Sequence, residues 1–221
     1  MIQLVIDNLR PACAHRFIFI CQREHVLAYD LVARLNQFAP GCEVVMLDGL
    51  TDGAARTVLQ AKYLINNDAP LMIANSDQYV TVDINEYLTE MSQRNLGGLI
   101  MSMTATDPKW SFAELDDQGL VKRVVEKEVI SDVATVGIYN FNHGADFVRG
   151  AEDMIDQKMM VNSEYYVAPV YNVLIPQGYR VGVHSIGSEG AGMHGLGIPA
   201  DLQLFLDLPW SHDAVWPRVG S

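Results

Sequence analysis

Apolar residues follow helical spacing in some parts of the chain and form strand-like runs in others. From Ile2 to Leu9 they stand at positions i, i+3, i+4 and i+7, which predicts an amphipathic helix that begins at the first residue. Farther along, apolar runs predict strands at 16–21, 43–47, 70–74, 98–104, 111–115, 120–125, 134–141 and 180–185. Periodic segments predict helices at 24–38, 54–65, 84–94, 143–154, 165–175 and 199–208. Because helices alternate with strands, the pattern predicts an α/β fold.

The composition fits one globular domain. The chain has 221 residues, of which 49% are hydrophobic, and this is enough to bury a sizeable core. Its apolar runs are much shorter than the roughly 20 residues that cross a bilayer. We therefore predict one domain over residues 1–209, followed by a loose tail over residues 210–221, which are polar and aperiodic.

The charge balance limits the kinds of partner that the protein can bind. There are 15 Lys and Arg residues against 27 Asp and Glu residues, a formal net charge of −12, so the surface repels nucleic acid and anionic membranes. A phosphate-bearing ligand therefore needs a local basic pocket or a metal ion. The three cysteines form no CxxC pair and the first residues carry no secretion signal, which favours reduced thiols and a cytoplasmic location.

A polar cluster follows the predicted strand at 70–74. It comprises Asn75, Ser76, Asp77 and Gln78. Open α/β sheets bind ligands at the carboxyl ends of their strands, so this cluster is the first candidate site. An aspartate there suits Mg²⁺, which prefers one or two carboxylates together with waters and phosphates. The alternative is an aspartate whose side chain caps the following turn.

Five short segments occur in a particular order along the chain. They are Met1-Ile2-Gln3 with Val5-Ile6 and Asn8-Leu9, Asp52-Gly53-Ala54-Ala55, Ser76-Asp77-Gln78, Val125-Glu126-Lys127 followed by Thr135-Val136-Gly137-Ile138-Tyr139, and Gly197-Ile198-Pro199-Ala200-Asp201-Leu202. With these segments, the chain resembles the sugar-phosphate nucleotidyltransferase family over nearly its whole length. The resemblance implies the glycosyltransferase A-type fold, a Rossmann-like three-layer α/β/α arrangement with a mostly parallel central sheet and a small β-rich part that binds the sugar.

The resemblance also implies an activity. Members of the family transfer a nucleotidyl group from a nucleoside triphosphate to a sugar phosphate and release pyrophosphate, with Mg²⁺ as the cofactor. This implies a role in making precursors of surface polysaccharide, and it allows a homo-oligomer. The reaction needs no protein nucleophile, because an oxygen of the sugar phosphate attacks the α-phosphorus in line. The protein must position two anions and stabilise charge on the transferring group.

The resemblance assigns the two candidate catalytic residues, Asp77 and Lys127. Asp77 binds the metal, Lys127 binds the phosphate of the sugar, and Glu126 binds sugar hydroxyls. A lysine is a compact cation that suits a phosphate oxygen. The alternative for Glu126 and Lys127 is an ordinary solvated surface, since charged residues crowd this part of the sequence.

Further substrate-binding residues follow from the same resemblance. Gly53 and Ala54 border the nucleobase, and Gln78, next to the metal residue in sequence, is a further substrate-binding candidate. Gly137 brings its backbone against the sugar, and Glu164 contacts the sugar. Structural alternatives stay open, namely a helix-start turn at Gly53, a bulge at Gly137 and the first turn of a helix at Glu164.

The sequence departs from the family pattern in two places. Relatives reach the first helix after a strand, a G-x-G-T-R loop that holds the triphosphate and a Lys-Pro pair, none of which is present here. We therefore expect a truncated start, with unpaired backbone groups on the strands beside the absent one. Relatives also carry a second metal aspartate where this chain has Gly195. His194 is either a substitute ligand or a packing residue, and the preference of Mg²⁺ for oxygen favours packing.

Two other functions stay open on the sequence. A nucleotide-sugar-dependent glycosyltransferase of the same fold should carry a D-x-D metal motif, where this chain has Ser76-Asp77-Gln78. A non-catalytic protein that binds nucleotide or sugar phosphate and regulates a partner would be consistent with the absent loop and with Gly195.

Overall fold

The chain folds into two sheets with helices on both faces. The structure, a computed structural model, describes residues 1–215, and residues 216–221 of the predicted tail lie outside the described residues. The strands are β1 (Ile18–Gln22), β2 (Glu43–Leu47), β3 (Leu71–Ala74), β4 (Gln78–Val80), β5 (Gly98–Thr104), β6 (Ser111–Leu115), β7 (Val121–Glu126), β8 (Val133–Phe141), β9 (Val181–Glu189) and β10 (Gly192–Gly195). The helices are α1 (Ile2–Asn8), α2 (Arg23–Tyr29), α3 (Leu31–Phe38), α4 (Ala54–Leu59), α5 (Lys62–Ile65), α6 (Ile84–Gln93), α7 (Gly144–Asp156), α8 (Val170–Leu174), α9 (Pro199–Leu206) and α10 (Ser211–Val215). Every helix within residues 1–215 is too short or too polar to cross a membrane.

The strands form a small sheet and a large one. In the small sheet β1 and β2 are parallel. The large sheet has eight strands in the order β4-β10-β9-β5-β8-β6-β7, with β3 paired to β8. β9 runs parallel to β5 and β10, whereas β8 runs antiparallel to β3, β5 and β6. The predicted α/β class, with a central sheet between helices, is confirmed.

Two apolar cores lie on the two faces of the large sheet. On one face, Phe141 of β8 stacks on Tyr171 of α8 with ring centroids 4.6 Å apart and meets Phe147 of α7 at 5.2 Å. On the other face, the buried Tyr87 of α6 donates a hydrogen bond to the carbonyl of Leu99 in β5 at 2.7 Å. Full burial of one such side chain is worth about 1.5–3 kcal/mol. These cores hold rigid the sheet whose strand ends carry the candidate site.

Helix α1 packs against both sheets. Its Ile6 belongs to the apolar cluster that includes Phe19 of β1, and its Val5 belongs to the cluster that includes Met72 of β3. Within residues 1–215, β1 pairs only with β2 and β3 pairs only with β8. Each of these two strands therefore has one edge without a strand partner within the described residues.

Three predicted helices differ from those in the structure. The segment 54–65 is divided into α4 and α5, which are separated by Gln60 and Ala61. The segment 24–38 is divided into α2 and α3 at Asp30, which has a left-handed φ of 49°. The segment 165–175 is helical only from Val170 onward. Pro169 precedes this helix, and a proline disfavours the helical conformation at the residue before it, so the helix cannot extend farther back.

Residues 210–215 pack against the domain instead of forming the loose tail that the sequence predicts. The ring of Trp210 lies 5.6 Å from the ring of Phe205 and 5.2 Å from the ring of His194. The buried Ser211 donates a hydrogen bond to the carbonyl of Leu206 at 3.0 Å and begins α10. An aromatic contact between distant residues has no periodic signature in the sequence, so the pattern of residues 210–215 did not reveal it.

Candidate functional site

Asp77 lies in the turn between β3 and β4, beside the loop that precedes α9. The apolar run of β3 ends at Ala74, and polar residues carry the chain out of the sheet there. The backbone N–H of Leu196 donates to the carbonyl of Asp77 at 2.7 Å. Oδ2 of Asp77 lies 2.5 Å from the place that a Cβ on Gly197 would take. The exposed carboxylate of Asp77 therefore faces the loop that contains Gly197.

Gly137 lies in a bulge of β8, next to the same turn. The register between β5 and β8 shifts between Ile100 and Ser102, which is the mark of a bulge. Gly137 has a left-handed φ of 79°, and its carbonyl accepts a hydrogen bond from the N–H of Asn75 at 3.1 Å. A Cβ on Gly137 would collide with the Asn75 side chain. The bulge therefore accounts for this glycine and also places it beside the Asp77 turn.

Glu126 ends β7 with its side chain buried. It is 7% exposed, and its Oε1 accepts a hydrogen bond from the hydroxyl of Ser111 at 2.7 Å. Burial raises the pKa of Glu126, and the Ser111 hydrogen bond and the charge of Lys127 oppose part of that rise. A buried, oriented carboxylate does not fit the alternative of a solvated surface residue.

Lys127 follows directly, exposed and in a conformation that is unusual for lysine. Its φ is 57°, and its backbone N–H donates to the carbonyl of Trp110 at 3.0 Å. Its Nζ lies 5.6 Å from the ring centroid of Tyr166. The Tyr166 hydroxyl is the main cause that raises the pKa of Lys127, and the charges of Glu164 and Glu126 raise it further. Left-handed backbone at residues other than glycine concentrates at functional sites.

Glu164 lies in a tight turn and not in the first turn of a helix, which corrects that alternative. Asn162 and Ser163 have left-handed φ values of 51° and 65°. Val161 and Glu164 exchange two backbone hydrogen bonds of 3.0 and 2.9 Å. The turn carries Glu164 and the nearby Tyr166 towards Lys127.

Gly53 and Ala54 begin α4 against the segment that follows this turn. The N–H of Tyr165 donates to the carbonyl of Asp52 at 2.8 Å, and the N–H of Ala55 donates to the carbonyl of Tyr165 at 2.9 Å. Gly53 has a φ of 118°, and a Cβ there would collide with the backbone of Tyr165. This close approach explains the glycine by packing. The assignment of Gly53 and Ala54 to a nucleobase stays a prediction.

Lys109 and Trp110 lie in the loop that connects the surroundings of Asp77 with those of Glu126 and Lys127. The Lys109 ammonium donates to Oε1 of Glu189 at 2.8 Å and lies 4.8 Å from the centroid of the Trp110 ring. The hydrogen bond to Glu189 is the main cause of the raised pKa of Lys109. The charge of Asp201, in the first turn of α9, raises this pKa further. The Trp110 carbonyl accepts a hydrogen bond from the Lys127 N–H, so the loop that carries Lys109 and Trp110 is near both Asp201 and Lys127.

Gln78 and His194 have different surroundings although both are buried. Gln78 is 6% exposed, lies opposite Gly195 in the β4–β10 pair, and has no hydrogen-bond partner for Nε2 within residues 1–215. His194 lies among the rings of Tyr79 and Trp210, and burial lowers its pKa. His194 is therefore a packing residue, and the hypothesis of a substitute metal ligand is not supported.

Sequence reasoning missed three residues of this site, Ser111, Lys109 and Tyr166. The pairing of β6 with β7 places Ser111 directly opposite Glu126. Tyr166 reaches Lys127 from a turn about 40 positions along the sequence. The consecutive predicted strands at 111–115 and 120–125 were a usable signal for Ser111, but no signal existed for Tyr166.

The Asp77 end of the site has donors that fit a divalent cation with a partial protein shell. No three His, Cys, Asp or Glu side chains of residues 1–215 are grouped to hold a metal ion. Mg²⁺ needs only one or two carboxylates, because waters and phosphates complete its shell. Asp77 supplies an exposed carboxylate, and the missing side chain at Gly197 leaves room for that carboxylate.

Residues 1–162 match the family model described as nucleotidyl transferase. The chain therefore belongs to the nucleotidyl transferase family, a family of enzymes that generally use a divalent metal. The predicted resemblance is confirmed. A comparison with curated proteins finds no match.

Two solved structures are similar to the chain in fold. A nucleoside-diphosphate-sugar pyrophosphorylase from Vibrio cholerae RC9 is 22% identical with a TM-score of 0.75, and the match covers 93% of this chain and 85% of that one. A protein from Bacillus anthracis assigned as a glucose-1-phosphate thymidylyltransferase, crystallised with sucrose, is 16% identical with a TM-score of 0.64, and the match covers 92% and 77%.

Proposed function

We propose that this protein transfers a nucleotidyl group from a nucleoside triphosphate to a sugar phosphate, releasing pyrophosphate, and so supplies precursors of surface polysaccharide. The placement of Lys127 is the observation that carries the proposal. Its ammonium lies near the Tyr166 ring, next to the buried Glu126 and close to Glu164. A cation flanked by carboxylates complements a ligand with one phosphate and several hydroxyls.

The reaction needs positioning more than acid–base chemistry. An oxygen of the sugar phosphate attacks the α-phosphorus, and the bond from that phosphorus to the bridging oxygen of pyrophosphate breaks, so that pyrophosphate leaves with the electron pair. Lys127 binds the phosphate of the sugar and offsets its repulsion from the triphosphate. Glu126, fixed in orientation by Ser111, accepts a hydrogen bond from a sugar hydroxyl.

Asp77 is the residue that we assign to Mg²⁺. When bound, Mg²⁺ would neutralise charge on the triphosphate and polarise the α-phosphoryl group that is transferred. Asp77 lies at the carboxyl end of β3, and open α/β sheets bind their ligands at that edge. Gln78 and Gly137, which flank the Asp77 turn, are assigned to substrate.

Pyrophosphate release tests the proposal. The intact chain would be given each nucleoside triphosphate with a panel of sugar 1-phosphates and Mg²⁺. We expect Lys127→Ala to lower kcat/KM about a hundredfold or more. The matched control is Lys122→Ala, because Lys122 lies on β7, which ends just before Lys127, and its ammonium donates a hydrogen bond to Glu114 at 2.6 Å. We expect no change in this control.

Three outcomes would contradict the proposal. The first is full activity in Lys127→Ala. The second is sugar-phosphate binding without pyrophosphate release for every pair, which would favour the non-catalytic binding protein. The third is transfer of sugar from a nucleotide sugar to an acceptor, which would favour the glycosyltransferase.

A further inference from the structure

Gly195 at the end of β10 and Gly197 in the loop before α9 each have an aspartate carboxylate where a side chain would stand. Oδ2 of Asp201 lies 2.9 Å from the place of a Cβ on Gly195, and Oδ2 of Asp77 lies 2.5 Å from that of Gly197. A carboxylate on residue 195 would need the space that Asp201 fills. The two aspartates therefore approach the same short loop, one from the first turn of α9 and one from the end of β3.

The buried side chain of Gln78 points independently to a ligand at this place. Directly opposite residues in an antiparallel pair leave the sheet on the same side. Gln78 is opposite Gly195, so its side chain leaves on the side where Asp201 meets Gly195. The side chain is 6% exposed, and its Nε2 has no partner within residues 1–215. Since buried polar atoms are nearly always bonded, this donor indicates a ligand oxygen, such as a phosphate oxygen or a metal-bound water.

We propose that Asp201 and Asp77 together hold the divalent cation. Asp201 supplies the second carboxylate, which occupies the space that a side chain at Gly195 would take. The proposal rests on the proposed function for the substrate phosphates that share the ion. Two carboxylates together with waters and phosphate oxygens are the set that Mg²⁺ prefers. Gly195 is then a requirement of the site, because it leaves room for the Asp201 carboxylate.

Two simpler roles for Asp201 make different predictions. The first is an ion pair with Lys109, but the Lys109 ammonium is bonded to Glu189 at 2.8 Å, and Asp201 is only a lesser cause of its raised pKa. The second is a favourable interaction with the amino end of α9, which any acid in the first turn of a helix makes. Neither role makes cation binding depend on Asp201.

Binding of Mn²⁺ in place of Mg²⁺ separates these roles without any substrate. Free Mn²⁺ is measured by electron paramagnetic resonance during titration of the intact chain. We expect Asp201→Asn and Asp77→Asn each to weaken Mn²⁺ binding about tenfold or more. The matched control is Glu86→Gln, which removes an exposed first-turn acid from α6 and should leave the affinity unchanged. Wild-type affinity in Asp201→Asn would overturn the proposal.

A second variant keeps the test decisive if Asp201→Asn does not fold. Gly195→Ala retains both aspartates but places a Cβ 2.9 Å from Oδ2 of Asp201, so the carboxylate must move. We expect weaker Mn²⁺ binding, and an unchanged affinity would overturn the proposal. A wild-type chain that binds no Mn²⁺ also overturns it. A chain that binds Mn²⁺ through both aspartates but releases no pyrophosphate contradicts only the proposed function.

Discussion

The hydroxyl of Ser111 donates a 2.7 Å hydrogen bond to Oε1 of Glu126, and both side chains are buried. The two residues face each other in the pair formed by β6 and β7. Ser111 of β6 therefore sets the orientation of the Glu126 side chain at the end of β7. A buried carboxylate destabilises the fold when it is ionised, and its retention is understandable where it serves a ligand.

The first prediction is that Glu126→Gln stabilises the protein at alkaline pH. Burial raises the pKa of Glu126 above its value in the unfolded chain, so the native state binds the proton more tightly. The wild type therefore loses stability as the pH rises through this range, whereas glutamine has no proton to lose. In thermal unfolding, the melting temperature of Glu126→Gln should exceed that of the wild type near about pH 8, and the difference should shrink towards about pH 4.

The neighbour Glu128 provides the control for this experiment. It is exposed, so Glu128→Gln should give no pH-dependent difference. Equal melting temperatures for Glu126→Gln and the wild type at both pH values would show that burial of the carboxylate has no energetic consequence.

The second prediction concerns Tyr166 as a positioning residue for Lys127. Tyr166→Phe removes the hydroxyl that is the main cause of the raised pKa of Lys127, and it keeps the ring that lies 5.6 Å from the Lys127 ammonium. We expect the KM for the sugar phosphate to rise about three- to tenfold, with a smaller change in kcat. Steady-state kinetics at several sugar-phosphate concentrations measures this. Tyr63→Phe, at a side chain that is 76% exposed, is the control. A fall in kcat with no change in KM would argue against the positioning role.

The third prediction is that Gly53→Ala is strongly destabilising. The new Cβ would collide with the backbone of Tyr165, and the φ of 118° is unfavourable for alanine. We expect a loss of about 2–4 kcal/mol in the free energy of unfolding, measured by denaturant titration. Gly41→Ala separates the two causes, because Gly41 has a φ of 79° but open space around it. Its loss should be about 1 kcal/mol. Similar losses in both variants would mean that the contact with Tyr165 is unimportant.

The fourth prediction concerns the attachment of α10. Trp210 is 36% exposed and packs against the rings of His194 and Phe205. Trp210→Ala should cost about 1–2 kcal/mol and increase amide hydrogen exchange in residues 211–215. Leu204→Ala, at a side chain that is 68% exposed, should change neither quantity. Unchanged exchange in Trp210→Ala would mean that the tryptophan does not hold α10.

Much of the fold could be predicted because it depends on local spacing. The predicted strands at 98–104 and 111–115 have the same bounds as β5 and β6. Predictions were poorer where a single residue changes the backbone, as at Asp30, which divides the helix predicted over 24–38 with a left-handed conformation. The hydrophobic pattern carries no signal for such a break, since the apolar positions continue on both sides of it.

The candidate site could be predicted only as a set of separate strand ends. Asp77 was a candidate because it follows an apolar run, whereas the roles of Asp77, Glu126 and Lys127 came from the family resemblance and stay predictions. Their orientations depend on partners that are distant in sequence, such as Ser111 for Glu126 and Tyr166 for Lys127. No spacing rule relates residues on different elements.

The sequence by itself determined the class of fold, the family and the residue types available for chemistry, because periodicity, strand-end polarity and motif order are properties of neighbouring residues. Tertiary structure decided which side chains from distant parts of the sequence meet. Asp201 can fill the space at Gly195 only because α9 folds back over the loop that ends β10. The physical reason is that burial, pKa and metal-binding geometry depend on distances between atoms, and only the packing of the sheets and helices fixes those distances.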